Sequence, residues 1–193
     1  MIRKNLVSEL YEKGDIDRII FEGRALILRY FPKKLVTMSL FVTTALMLSY
    51  IESLFPFFFG VPGMKLGLAN LAVVITLYFY GWRDALTVNI LRIVLSGLLF
   101  GNLFSILFSL GGALISFLCM VFAKKLRLSL YGVSMAGGVF HNVGQLLIAV
   151  FLVKTVAIGY YAPFLLAAGL VTGFLIGVLA KEMLKRLPES LKQ

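Results

Sequence analysis

Residues 102–129 read NLFSILFSLGGALISFLCMVFAKKLRLS. From Leu103 to Ala123 the run carries no charge, and it closes on Lys124, Lys125 and Arg127. A helix of about 20 apolar residues crosses the hydrocarbon core of a bilayer, so this stretch reads as one membrane crossing followed by a basic turn. Working outward, similar apolar runs lie at 35–55, 66–80, 85–100, 130–153 and 160–180, separated by short polar or Gly/Pro breaks. The spacing predicts an all-α integral membrane protein with six transmembrane helices. The second and third runs are short for full spans, so they need burial by neighbours or extension by boundary residues such as Trp82. Five spans with one re-entrant segment is the alternative count.

Composition agrees with this reading. The 193 residues are 60% hydrophobic and only 15% charged, with mean hydropathy +0.96, whereas soluble domains carry about 25% charge. A disulfide scaffold is excluded, because Cys119 is the single cysteine and lies inside an apolar run. The net charge of +10 would suggest nucleic acid in a soluble protein. Here the cations sit at membrane boundaries, so no nucleic-acid partner is expected.

Their distribution orients the chain. With the N-terminus inside, the segments 1–34, 81–84, 124–129 and 181–193 hold 16 of the 19 Lys and Arg residues. Lys65 and Lys154 fall outside, and Arg92 lies within a span. The positive-inside rule then puts both termini in the cytoplasm of a bacterial-type inner membrane. Residues 1–34 read as a cytoplasmic leader: Asp15 suits a helix cap, and Ile16, Ile19, Ile20, Gly23 and Ile27 share one face of a basic amphipathic helix. A solvated leader that merely orients the first span is the other reading. Pro32, Lys33 and Lys34 are expected to close it, leaving a membrane domain over 35–183 and a basic cytoplasmic tail over 184–193. Pro163 suits the first turn of the last span.

Polar residues inside spans are costly and therefore informative. Asn89 and Arg92 lie three apart on the third run, and His141, Asn142 and Gln145 cluster on the fifth. Asn70 lies early in the second run, Lys65 at its start, and Glu52 near the outer end of the first. These eight residues are the candidate ligand-binding set. Lys65 and Arg92 against Glu52 leave one positive charge in excess, which favours a small anionic or strongly hydrogen-bonding ligand reached from outside. Each also has a plain structural role: Lys65 can snorkel to headgroups, Arg92 can pair with Glu52, and His141 and the amides can bond helix to helix. Gly60, Pro62 and Gly63 before Lys65, and Gly137 and Gly138 before His141, suit the wall of a pocket. A lone His makes no metal site, and neither a metal nor a cofactor is expected.

Small residues spaced by four let helices approach closely. Gly169, Gly173 and Gly177 form one stripe, and Ser39 with Thr43 and Ala45 with Ser49 form others. They suit packing inside the bundle or contact with a membrane partner. The chain holds no P-loop and no pair of Asp-rich motifs to hold Mg²⁺ on a diphosphate, so it is not expected to be an enzyme acting alone.

The segments VPGMKLGLANL (61–71), LRIVLSGLLFGNLFSILFSLGGALIS (91–116) and AGGVFHNVGQLLIA (136–149) resemble the Gx transporter family, often labelled heptaprenyl diphosphate synthase component I. The resemblance covers about residues 35–183. That family is similar to the substrate-binding S components of energy-coupling factor transporters, which implies six helices, an outward pocket, a transmembrane coupling protein and two cytoplasmic ATPases as partners. The first-span Ala-x-x-x-Ala signature of those components appears here only as Ser39-x-x-x-Thr43 or Ala45-x-x-x-Ser49. The family label implies the alternative role, a non-catalytic accessory subunit of polyprenyl diphosphate synthesis. A scaffold for another membrane complex is a third reading.

Overall fold

A computed structural model describes residues 13–54, 67–154, 159–160 and 162–187. The described residues form six helices: α1 (Lys13–Leu54), α2 (Leu68–Phe79), α3 (Trp82–Phe100), α4 (Leu103–Lys125), α5 (Leu130–Val153) and α6 (Ala162–Arg186). Four segments are long and apolar enough to cross a membrane: Lys34–Leu54, Leu103–Lys125, Leu130–Leu152 and Ala162–Arg186. The chain divides into two compact units, 1–39 and 40–193.

In the first unit, the helix is not closed at Pro32. Helical backbone continues through Pro32, Lys33 and Lys34, and Asp15 lies within the helix rather than ahead of it. Proline costs a helix one backbone hydrogen bond and crowds the preceding turn, but the flanking residues are good enough helix formers to continue. Pro163, in contrast, sits in the first turn of α6 as expected, where its missing N–H leaves no bond unmade.

The second unit is built around its shortest helix. At about 1.5 Å per residue, the 12 residues of α2 reach about 18 Å, well short of the bilayer core. Nine of them are buried, so α2 is covered by neighbours on all sides, as a helix with no polar face requires. Leu71, Val73, Val74, Ile75 and Leu77 pack with Ala85 of α3, Phe117 and Met120 of α4, Val133 of α5, and Ile176 and Ala180 of α6. From α1, Phe41 meets Phe79 and Tyr80 edge to face, with ring centroids 6.4 and 6.2 Å apart. Consecutive helices from α2 to α6 pack side by side, and α6 returns to α2.

Three tight connections hold the middle of this unit. Gly81, at φ 101°, turns α2 into α3 in a conformation that glycine alone adopts cheaply. Asn102 caps α4 by accepting from the Ser105 N–H at 2.8 Å, and Ser129 caps α5 by accepting from Gly132 at 3.2 Å. At the α4 C-terminus the Lys124 ammonium donates to Leu77 O at 2.6 Å and lies 4.6 Å from the centre of the Tyr78 ring. That bond satisfies a carbonyl that the end of α2 would otherwise leave open.

The glycine stripe of α6 faces α5. A Cβ placed on Gly169 would stand 2.8 Å from Gly138 O, one on Gly173 2.7 Å from the Met135 Cα, and one on Gly177 3.1 Å from the Tyr131 Cα. The stripe is thus used inside the chain. Gly144 packs as closely on α4, 2.8 Å from Gly111 O by the same measure. Outward, Leu170, Val171, Phe174, Leu175 and Val178 of α6 are exposed, an apolar face suited to lipid.

Candidate functional site

The polar residues converge at one end of the second unit. Glu52 stands close to the end of α1, and its Oε1 accepts from the Leu68 N–H at 2.8 Å. A carboxylate at a helix N-terminus satisfies an open donor and meets the positive end of the helix dipole. It therefore fixes the start of α2 against α1. Near the start of α2, Asn70 Oδ1 accepts from Arg92 Nη2 at 2.9 Å, and Asn89, one turn before Arg92 on α3, accepts from its Nε at 3.0 Å. Arg92 is only 7% exposed. Both groups that it bonds are neutral, and the charge of Glu52 acts on it from farther off.

Beside this cluster lies a cavity of about 90 Å³. Its walls are Ser49, Glu52 and Ser53 of α1, Gly67 and Asn70 at the start of α2, and Arg92, Ile93, Ser96 and Phe100 of α3. Gly101, Ser105 and Ser109 at the start of α4 and His141 of α5 complete it. The cavity gathers the C-terminal ends of α1 and α3 and the N-terminal ends of α2 and α4. The basic residues Lys124, Lys125, Lys185 and Arg186 end α4 and α6, at the opposite end of the unit.

Of the eight candidate ligand residues, Glu52, Asn70, Arg92 and His141 line this cavity, and Asn89 stands behind Arg92. Asn142 turns elsewhere: its Nδ2 donates to Leu165 O at 2.6 Å and ties α5 to α6. Gln145 is 1% exposed and makes no hydrogen bond through either amide atom among the described residues. It packs against Gly112 of α4 one turn beyond His141, where a Cβ on Gly112 would come within 2.7 Å of its Cγ. Lys65 and the glycines and proline before it lie outside the described residues. The excess positive charge expected from the sequence depended on Lys65; among the described walls, Arg92 faces one acid, Glu52.

The hydroxyl groups escaped the sequence reading. Ser53, Ser96, Ser105 and Ser109 join Ser49 on the walls. Ser105 and Ser109 lie one helical turn apart just after the cap of α4, a signal that reads equally as small-residue packing. Ser49 shows that ambiguity directly, since its spacing from Ala45 suggests a packing stripe. Ala45 is fully buried and Ser49 lines the cavity, while Thr43 is exposed.

Residues 41–183 match the sequence profile of a family described as heptaprenyl diphosphate synthase component I. The chain belongs to that family. The match begins where the second compact unit begins and takes in every residue of the cavity walls. Its description fits a member of a multi-subunit membrane assembly, and four apolar helices of spanning length make the chain a multi-pass membrane protein. No curated protein and no solved structure matches the chain. Among the described residues, the walls in this member of the component I family present one guanidinium, one carboxylate, one imidazole and five hydroxyls around a small space.

Proposed function

We propose that this protein is a membrane substrate-capture subunit, similar to the S components of energy-coupling factor transporters, which takes a small polar ligand from the outer side for ATP-driven uptake. The observation that carries this reading is the cavity that Arg92 lines, at the end remote from the basic helix termini. A guanidinium at this depth in a membrane protein costs at least ~2.5–3.5 kcal/mol. Holding it with two neutral amides beside an open space, rather than against a carboxylate in contact, suits a protein whose ligand completes the site.

In this proposal the unit has six membrane-embedded segments with both termini in the cytoplasm, α2 being the short one covered by its neighbours. A coupling membrane protein and cytoplasmic ATPases supply the energy, since the sequence has no P-loop of its own. The chain itself binds and does not catalyse. Cysteine accessibility checks the orientation. In a Cys119→Ser background, Lys154→Cys should react with an impermeant maleimide in intact cells, and Lys125→Cys only after permeabilisation. Labelling of position 125 in intact cells would reverse the topology.

The family description favours a second reading, a non-catalytic accessory subunit of polyprenyl diphosphate synthesis. Mass spectrometry of small molecules that remain with the detergent-purified protein separates the two. Capture predicts a small polar molecule whose recovery depends on Arg92, whereas the accessory role predicts a prenyl diphosphate or a synthase subunit and no small polar ligand.

A further inference from the structure

We infer that the basic end of the second unit is a binding surface for anionic phospholipid headgroups, centred on the turn between α4 and α5. This goes beyond substrate capture and does not depend on it, because the surface lies at the end remote from the cavity. Position is the first argument. The Lys124 ammonium bonds Leu77 O near the end of α2, and Lys181 of α6 lies 4.8 Å from the centre of the Tyr131 ring in the first turn of α5. The turn is thus bracketed by α2 on one side and α6 on the other. The 23 residues of α4 reach about 35 Å at ~1.5 Å per residue, slightly more than the ~30 Å of a bilayer core. Cations at the end of α4 therefore stand at the level of the headgroups.

Backbone geometry is the second argument. The chain leaves α4 with the Leu128 N–H bonded to Ala123 O at 3.1 Å and the Arg127 N–H bonded to Lys124 O at 3.0 Å. That pair of bonds closes a helix through one residue in the left-handed region, a position that glycine usually fills. Here the residue is Arg127, at φ 60°. A side chain that the backbone disfavours points to a use outside the turn. Arg127 and Lys125 are both exposed. Among the described residues, the ion pairs at this end join Glu182 to Lys185 at 3.3 Å and to Arg186 at 3.4 Å, and neither Arg127 nor Lys125 takes part.

Surface chemistry is the third. Trp82 is exposed with the Arg83 guanidinium 5.4 Å from its ring centre, and Leu126 and Leu128 are exposed on either side of Arg127. Apolar side chains interleaved with cations suit the boundary between headgroups and acyl chains, where tryptophan is enriched. An acidic soluble protein would match the cations alone, whereas an anionic lipid matches both. A guanidinium binds phosphate oxygens with paired bonds.

The chain has one tryptophan, Trp82, so its fluorescence reads this surface. The full-length protein is reconstituted in vesicles of dioleoyl phosphatidylcholine with a rising share of dioleoyl phosphatidylglycerol, one lipid at a time carrying brominated chains that quench tryptophan. Each Lys or Arg near an anionic surface strengthens attraction about fivefold, so phosphatidylglycerol should displace phosphatidylcholine from Trp82 with a relative binding constant of about five or more. High salt should bring that constant towards one. Lys125→Gln combined with Arg127→Gln should lower it at least threefold, and Arg127→Lys, which keeps the charge, should retain it. Arg127→Gly separates lipid from turn: glycine suits the backbone, so the melting temperature should hold or rise while the preference falls. Equal quenching by the two lipids, or a preference that survives the double variant, would overturn the inference and leave the surface to an acidic soluble partner. An Arg127→Gly protein that melts early and keeps its preference would also overturn it, by assigning Arg127 to the turn alone.

Discussion

Gly173→Leu should lower the melting temperature of the purified protein by ten degrees or more, or prevent its recovery as a monodisperse species. The reason is geometric. The first atom of any side chain at this position stands 2.7 Å from the Met135 Cα and 2.8 Å from Ser134 O, and both belong to a backbone that cannot swing aside. Accommodating leucine requires α5 and α6 to separate, and overpacking of this kind costs about 1–3 kcal/mol or more. Separation also strips the close contacts of Gly169 and Gly177 on the same stripe. A membrane interface has little hydrophobic driving force to offset that loss, because lipid solvates apolar side chains as well as protein does. Gly159, where an added Cβ would meet nothing within 4 Å among the described residues, is the control: Gly159→Ala should leave the melting temperature within a degree or two. A Gly173→Leu protein as stable as the parent would place the stripe against lipid.

Arg92→Gln should weaken ligand binding by about 2 kcal/mol or more, some thirtyfold, which is the scale of removing one partner of a buried charge contact. Glutamine still donates to Asn70 or Asn89, so the local hydrogen bonding is only thinned. The competing structural role for Arg92 is to balance Glu52 electrostatically. It predicts that Arg92→Gln melts early, that Glu52→Gln in the same chain restores stability, and that ligand affinity follows neither change. Isothermal titration of the single and double variants, with their melting temperatures, reads both quantities at once. Rescue of stability with affinity unchanged throughout would remove Arg92 from the binding site.

How far the sequence discloses this site depends on the range over which each signal acts. The pairing of Asn89 with Arg92 is legible because three residues make one turn, and side chains at that spacing meet on the same face. The cost of charge in a membrane singles out Glu52, Arg92 and His141 with no knowledge of the fold, and these do line one cavity. What the pattern does not contain is which helix a given face meets. Asn142 and His141 are neighbours in sequence, yet they point about 100° apart on α5, one to Leu165 of α6 and the other to the cavity. The contact of Glu52 with Leu68 is equally silent, since nothing local to either residue specifies the other. The serines were hidden for a different reason: a small polar side chain suits both a packed seam and a wet wall. At Pro32 the local rule for helix breaking yields to the helical tendency of the residues on both sides.

The bond between Glu52 and Leu68 also bears on how this fold can change. It fastens the last turn of α1 to the first residue of α2, and α2 is the helix around which the core of the unit is packed. One carboxylate thus sets where the central helix begins, so loss of that side chain frees the start of α2 at a single point. The glycine seam between α5 and α6 has no such point of release, because its close contacts repeat along three turns.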